Sequence, residues 1–123
     1  MAILGTMNEL GSFATEAHTQ IAKEAAKQAD FFIALGQYAE QMASVAKAAG
    51  MSGLAVLSFK TPEQLLEHLD QVIKAKDVVY IKASQNGMFL ERIVKRLMAK
   101  PELAGELLVR QSRFWDHQIS KAH

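Results

Sequence analysis

Two short polar stretches, each directly after an apolar run, carry the side chains best suited to binding an anionic ligand. The apolar runs are residues 1–4 and 78–81. Lysine supplies positive charge, and a turn that leads from a strand into a helix offers free backbone N–H groups to a carboxylate or phosphate. We therefore predict an anion-binding site there. Its candidate substrate-binding residues are Thr6 and Asn8 in the first stretch, and Lys82, Ser84, Gln85 and Asn86 in the second.

Each of these residues also has a purely structural interpretation. Lys82 could extend from the end of a buried strand into water, Ser84 could cap the following helix, and Asn86-Gly87 could serve only as a turn. We predict that Glu9 and His18 support the first loop, with the carboxylate pairing the imidazole, and a catalytic role is the alternative. We predict no catalytic residue and no metal site, because no two histidines or carboxylates have the spacing of metal ligands.

The elements that must position these residues follow from hydrophobic periodicity. Apolar runs alternate with amphipathic patterns, and Thr61-Pro62-Glu63-Gln64 is a typical helix start. This alternation predicts an α/β fold, a three-layer Rossmann-like doubly wound sheet of four parallel strands in the order 3-2-1-4. The predicted strands are 1–4, 31–35, 54–59 and 78–81, and the predicted helices are 15–29, 37–49, one from Thr61, and 88–98.

The strand order decides where the site should lie. Strands one and four become neighbours at the point where the crossover direction reverses, so their loops should splay apart and leave a crevice. Because the run 78–81 is continuously apolar and β-branched, we also expect strand four to be covered on both faces. Both polar stretches would then border the same crevice.

The last residues form an extension to this core. We predict one domain over residues 1–123, with a core at 1–98 and a C-terminal extension at 99–123. Pro101 permits a short helix, and residues 107–109 favour a fifth, edge strand, although a continued helix stays open. Phe114 and Trp115 should anchor the tail, and residues 118–123 should fray.

Composition excludes several classes of protein. The chain has 14 basic and 13 acidic side chains, a formal charge of +1, which argues against nucleic acid as a partner. It has no cysteine, no signal-peptide pattern and no membrane-spanning apolar run, so we expect a soluble cytoplasmic protein with no membrane partner. A phosphate-binding loop, a dinucleotide fingerprint and a nucleophile elbow are also absent, so the chain alone should not turn over ATP.

Two segments resemble the C-terminal domain of the Mur ligases of peptidoglycan synthesis. The sequence Val-Tyr-Ile-Lys-Ala-Ser-Gln-Asn-Gly-Met at 79–88 resembles the family's strand followed by Lys-Gly-Ser-Arg. The sequence Ile-Leu-Gly-Thr-Met-Asn-Glu-Leu-Gly at 3–11, followed by His18, resembles the start of the same domain. The order and spacing agree over residues 2–98, and the similarity is greatest to the members that add D-alanyl-D-alanine.

This resemblance implies a place in a bacterial, cytoplasmic, ATP-dependent ligase of cell wall biogenesis. In that family a carboxylate of a UDP-linked peptide becomes an acyl phosphate, which the amine of D-alanyl-D-alanine attacks. ATP and magnesium bind to the parent enzyme's other parts, so this domain would hold no cofactor of its own. Its partners would be the ligase's N-terminal and central domains and a D-alanyl-D-alanine-like dipeptide. Lys82, Ser84, Glu9 and His18 match family positions.

Three positions depart from the family pattern. Thr6 stands where the family has Asp, Ala83 where it has Gly, and Gln85 where it has Arg. The leading hypothesis is therefore a substrate-positioning domain, excised from or encoded apart from its catalytic partner and inactive by itself. The alternative is a free-standing, non-catalytic module of the same fold that binds a small ligand or another protein.

Overall fold

A computed structural model of the chain describes residues 1–121, except for the side chains of Gln85 and Asn86. Its centre is a parallel sheet of four strands in the order β3-β2-β1-β4. This confirms the predicted Rossmann-like fold and strand order. The strands are β1 (Ala2–Leu4), β2 (Phe32–Leu35), β3 (Val56–Phe59) and β4 (Tyr80–Lys82).

Helices cover both faces of the sheet. They are α1 (Ala14–Gln28), α2 (Ala39–Ala48), α3 (Pro62–Val72), α4 (Gln85–Met88), α5 (Glu91–Leu97), α6 (Ala104–Leu107) and α7 (Arg113–Lys121). Three short 3₁₀ turns lie at Gly11–Phe13, Gly53–Ala55 and Pro101–Leu103. No helix in the described part of the chain is long and apolar enough to cross a membrane.

The two faces of the sheet have different cores. Small residues line the face under α1 and α2, where alanines pack around Phe32 and Met42, and short side chains let a helix lie close to a sheet. Larger side chains fill the opposite face under α3 and α5. That second core includes Ile3, Ile33, Leu35, Leu65, Leu69 and Ile93, all of them buried.

Helix α3 begins as the sequence predicts and also fixes α5. The Thr61 hydroxyl accepts the Gln64 backbone N–H at 3.4 Å, with Pro62 in the first turn. Two ion pairs then join α5 to α3, one from Arg92 to Glu63 and one from Arg96 to Asp70. Because α5 is held in this way, the turn between β4 and α5 has a fixed end.

Strand β4 is not covered on both faces, so that prediction is wrong. Val78 is 85% exposed and Tyr80 is 61% exposed. The physical reason is that β4 is the edge strand: α1 and α2 pack over β1, β2 and β3, and their buried cluster does not extend over Tyr80. Only the face of Ile81 contacts a core.

The helix predicted over 88–98 is interrupted. Helix α4 is a single turn that ends at Met88, and α5 begins at Glu91. Gly87 and Phe89 have φ values of 90° and 44°, and left-handed residues break the regular ladder of helical hydrogen bonds. The turn after β4 therefore leads into one helical turn rather than the long helix that the sequence predicts.

The predicted fifth strand is also wrong within the described residues. Helix α6 ends at Leu107, and Arg110 has a φ of 58°, so only two residues separate the helix from a left-handed bend. That length is too short for a strand to pair along β4. Residues 118–121 form the last part of α7, in contrast to the expected fraying, while residues 122 and 123 lie outside the described residues.

Candidate ligand-binding site

Hydrogen bonds join the loops after β1 and β4. The Gly5 N–H donates to the Lys82 carbonyl at 2.8 Å, and the Ser84 N–H donates to the Thr6 carbonyl at 3.0 Å. The Asn8 N–H donates to the Ser84 hydroxyl at 2.7 Å. The two loops therefore lie against each other at these residues instead of splaying apart as predicted. Ser84 links the loops and makes no side-chain cap for the helix that follows.

His18 holds the first loop in place, but it does so without Glu9. Its ring is fully buried and stacks on Tyr38, with centroids 4.0 Å apart. Nε2 accepts the Met7 backbone N–H at 2.9 Å, and Nδ1 lies 2.6 Å from the Ala14 carbonyl. A backbone N–H can only donate and a carbonyl can only accept, so the ring is neutral with its proton on Nδ1. Both nitrogens are used, and the expected pair with the exposed Glu9 carboxylate does not form.

Thr6 packs into the interior at the end of β1. Its side chain is only 7% exposed, and its hydroxyl is buried with no hydrogen-bond partner among the described residues. The hydroxyl lies so close to Gly36 that a Cβ added at that glycine would be 2.2 Å from it. Gly36 also has a φ of 94°, which favours glycine. The structure therefore places Thr6 in a packing contact between the ends of β1 and β2.

Lys82 and Ser84 border a cleft on the free side of β4. The cleft has a volume of about 320 Å³ and lies between the end of β4, helix α5 and residues 107–110. Its wall is mainly apolar, with Ile81, Leu90, Val94 and Leu108 among the lining residues. The polar lining residues are Lys82, Ser84, Glu91 and Arg110.

The two positively charged side chains of the cleft, Lys82 and Arg110, have different surroundings. Lys82 is exposed at the rim and forms no ion pair with another described residue. Arg110 instead pairs with Glu91, and these side chains are only 20% and 12% exposed. The Trp115 ring lies 5.7 Å from the Arg110 guanidinium carbon, within the range of a cation–π interaction. The cleft thus combines one free cation with one fixed cation.

Sequence reasoning missed Arg110 and Glu91. They lie in segments 19 residues apart, and no motif predicts that the chain folds back between them. The one relevant signal is the aromatic pair at 114–115 in the tail. Trp115 packs on Phe89, with their ring centroids 6.3 Å apart, and so anchors the tail. Phe114, in contrast, is 61% exposed.

The arrangement of these side chains suits the binding of a ligand more than the making or breaking of covalent bonds. A carboxylate can interact with Lys82 while small apolar groups contact the wall, and the Glu91 carboxylate is already engaged by Arg110. Among the described residues no three histidines or carboxylates are grouped as metal ligands. The predicted contacts of the Gln85 and Asn86 side chains lie outside the described residues.

The close approach of the two loops gives a testable consequence at Gly5. A Cβ added there would be 2.6 Å from the Ala83 Cβ, so the β4 loop would have to move. We expect Gly5→Ala to lower the free energy of unfolding by roughly 1–3 kcal/mol, the usual cost of overpacking. Chemical denaturation measures this loss.

The matched relief variant is Ala83→Gly, which removes the atom that Gly5→Ala would meet. In the double variant most of the lost stability should return, as a double-mutant cycle would show. Purely additive effects would contradict a direct contact between the loops.

Together, the doubly wound sheet and the helices on both of its faces define an α/β domain of Rossmann-like class, with a cleft beside the edge strand β4. A family model described as Mur ligase, glutamate ligase domain matches residues 1–85, and the chain belongs to that family. The resemblance seen in the two sequence segments is thereby confirmed.

A solved structure shares the fold. The crystal structure of MurF from Acinetobacter baumannii superimposes with a TM-score of 0.57 at 20% sequence identity, over 78% of this chain. The matched part is 20% of the MurF chain, so this chain spans about a fifth of that protein's length. A search of curated proteins found no match.

Proposed function

We propose that this chain is the substrate-positioning domain of an ATP-dependent Mur-type ligase that adds D-alanyl-D-alanine to a peptidoglycan precursor. The observation that carries the proposal is the cleft at the carboxyl end of β4. There Lys82, which forms no ion pair with another described residue, stands beside an apolar wall. Membership of the Mur ligase family supports the ligase assignment. The MurF-like fold favours the D-alanyl-D-alanine branch.

In this proposal the domain binds and orients the incoming dipeptide. Lys82 attracts the dipeptide carboxylate, and the short methyl groups lie on the apolar wall. The free amine at the other end is then held for attack on the activated precursor. Orienting a nucleophile in this way lowers the entropic part of the barrier.

The remaining functions would belong to other parts of the ligase. This sequence contains no phosphate-binding loop, so we expect other parts of the ligase to hold ATP and magnesium. We place those ligands, and the UDP-linked substrate, in the N-terminal and central domains of a bacterial cytoplasmic enzyme. The present chain would contact those domains when the ligase closes.

A ligand panel tests this proposal. The 123-residue chain should bind D-alanyl-D-alanine in the millimolar range, more tightly than L-alanyl-L-alanine, and should release no ADP from ATP. Isothermal titration measures the binding, and a coupled assay measures the ADP. Equal binding of the two dipeptides would contradict the D-alanyl-D-alanine assignment. Absence of binding would favour an interaction module, and ATP turnover that Lys82→Gln abolishes would contradict a purely positioning role.

A further inference from the structure

We propose that Arg110 is a specificity-determining residue of the cleft, which binds the carboxylate of the incoming dipeptide together with Lys82. This inference rests on the proposed function and adds a residue to it. Arg110 belongs to the C-terminal segment, outside the 1–85 match to the family model. That segment therefore completes the site instead of merely extending the domain.

The backbone around the cleft is held in an uncommon conformation. Among the described residues, four non-glycine residues have positive φ, and two of them, Phe89 and Arg110, line this cleft. A left-handed non-glycine residue costs free energy and persists only where its surroundings hold it. Phe89 lies just before α5, and Arg110 lies between α6 and α7, where the chain turns back toward α5.

The guanidinium of Arg110 is held in position before any ligand binds. Its NH1 group donates to Glu91 Oε1, and its carbon stands 5.7 Å from the Trp115 ring centroid. Trp115 is itself packed on Phe89. A side chain fixed by an ion pair and an aromatic ring loses little further conformational entropy when it binds a ligand.

The same guanidinium retains capacity to donate. Arginine has five N–H groups, and the hydrogen bond from Arg110 to Glu91 uses the NH1 group alone. The Nε–H is buried and has no acceptor in the described structure. The Arg110 side chain is still 20% exposed and lines the cleft, so a ligand there can use the donor capacity that Glu91 leaves.

The lining selects the kind of ligand. Arg110 favours a planar carboxylate, because its fork of donors matches two carboxylate oxygens, while Lys82 at the rim acts as a point charge. The adjoining wall, which includes Leu90, Val94 and Leu108, favours small apolar groups next to that carboxylate. A dipeptide of two alanines has both features. The corresponding dipeptide amide, in which a carboxamide replaces the C-terminal carboxylate, lacks the negative charge.

The experiment compares these two probes. For the 123-residue chain, the dissociation constant of D-alanyl-D-alanine carboxamide should exceed that of D-alanyl-D-alanine by about tenfold or more. In Arg110→Gln this ratio should fall to roughly threefold or less, and Arg110→Lys should give an intermediate ratio. A ratio of two ligands on the same variant separates recognition of the carboxylate from a general loss of fold.

Two further variants serve as controls. Arg96→Gln removes the same charge at an arginine that pairs with Asp70 and does not line this cleft, so it should keep the wild-type ratio. The double variant Glu91→Gln/Arg110→Gln leaves no unpaired carboxylate behind, and it should show the same low ratio as Arg110→Gln.

The outcomes distinguish this inference from the proposed function. A low ratio in both Arg110→Gln and Lys82→Gln supports the two together. A ratio that falls only in Lys82→Gln overturns the role of Arg110 and leaves the proposed function standing. A ratio unchanged in every variant, or wild-type binding weaker than about 10 mM, overturns both.

Discussion

His18→Ala is expected to lower the free energy of unfolding by about 2–4 kcal/mol, the largest loss among the single substitutions considered. The change removes a fully buried ring from its stack on Tyr38. It also leaves the part-buried Met7 backbone N–H without its acceptor, and an unpaired donor shielded from water is costly in itself. Chemical denaturation monitored by circular dichroism gives the value.

The matched control is His68→Ala. Like His18, His68 has its Nδ1 close to the backbone carbonyl four residues earlier, which is that of Gln64 at 2.9 Å. The side chain of His68, however, is exposed. Its removal should change stability by no more than about 0.5 kcal/mol. If the two variants lost the same stability, the link from His18 to the first loop would contribute nothing.

The His18 contact also bears on the site. Because Met7 is held by the imidazole, the following Asn8 N–H is in position to donate to the Ser84 hydroxyl. Loosening the first loop should therefore loosen the turn that follows β4. The stability of the first loop and the geometry of the cleft are coupled through these two hydrogen bonds.

In the proposed full-length ligase, Lys82→Gln is expected to lower kcat/KM for the dipeptide by about tenfold or more. Losing one charged contact to a carboxylate costs about 1.4 kcal/mol at that factor. Stability should change little, because Lys82 is exposed and forms no ion pair with another described residue. Steady-state kinetics with varied dipeptide concentration measures the effect.

Lys23→Gln provides a comparison with the same change in charge. Lys23 is exposed on α1, on a helix that does not line the cleft. Its kinetics should match the wild type, and KM for ATP should be unaffected in both variants. Unchanged dipeptide kinetics in a folded Lys82→Gln enzyme would show that Lys82 merely extends into water.

The sheet could be predicted from sequence because its signals are local. Continuous apolar runs alternate with helical patterns, and short connections between them force parallel strands and right-handed crossovers. The order of the strands then follows without any contact being known. The typical helix start at Thr61 is equally local, and the structure shows the expected cap.

The cleft could not be predicted in this way because long-range contacts form it. Arg110 reaches Glu91 only after a left-handed reversal, and neither residue type nor spacing encodes that reversal. The run at 107–109 is as apolar as a strand, yet it has too little length before Arg110 to pair with β4. The apolar character of 78–81 likewise says nothing about whether a helix covers both faces of that strand.

The role of Ser84 shows the same limit on a smaller scale. A serine before a helix predicts a cap, but here its hydroxyl accepts an N–H from Asn8, a residue 76 positions away in the chain. Such a contact depends on strands β1 and β4 being neighbours. The strand order was predictable, whereas the choice between two N–H donors for one hydroxyl acceptor was not.

The most direct test of the account is a titration of the isotope-labelled 123-residue chain with D-alanyl-D-alanine, followed by amide chemical shifts in nuclear magnetic resonance spectra. The account predicts that shifts concentrate at residues 81–84 and 107–110, which line the cleft, and that Lys82→Gln strongly reduces them. Shifts confined to the uncovered face of β4 around Tyr80 and to the adjoining Ile21 of α1, or shifts that Lys82→Gln leaves unchanged, would contradict it.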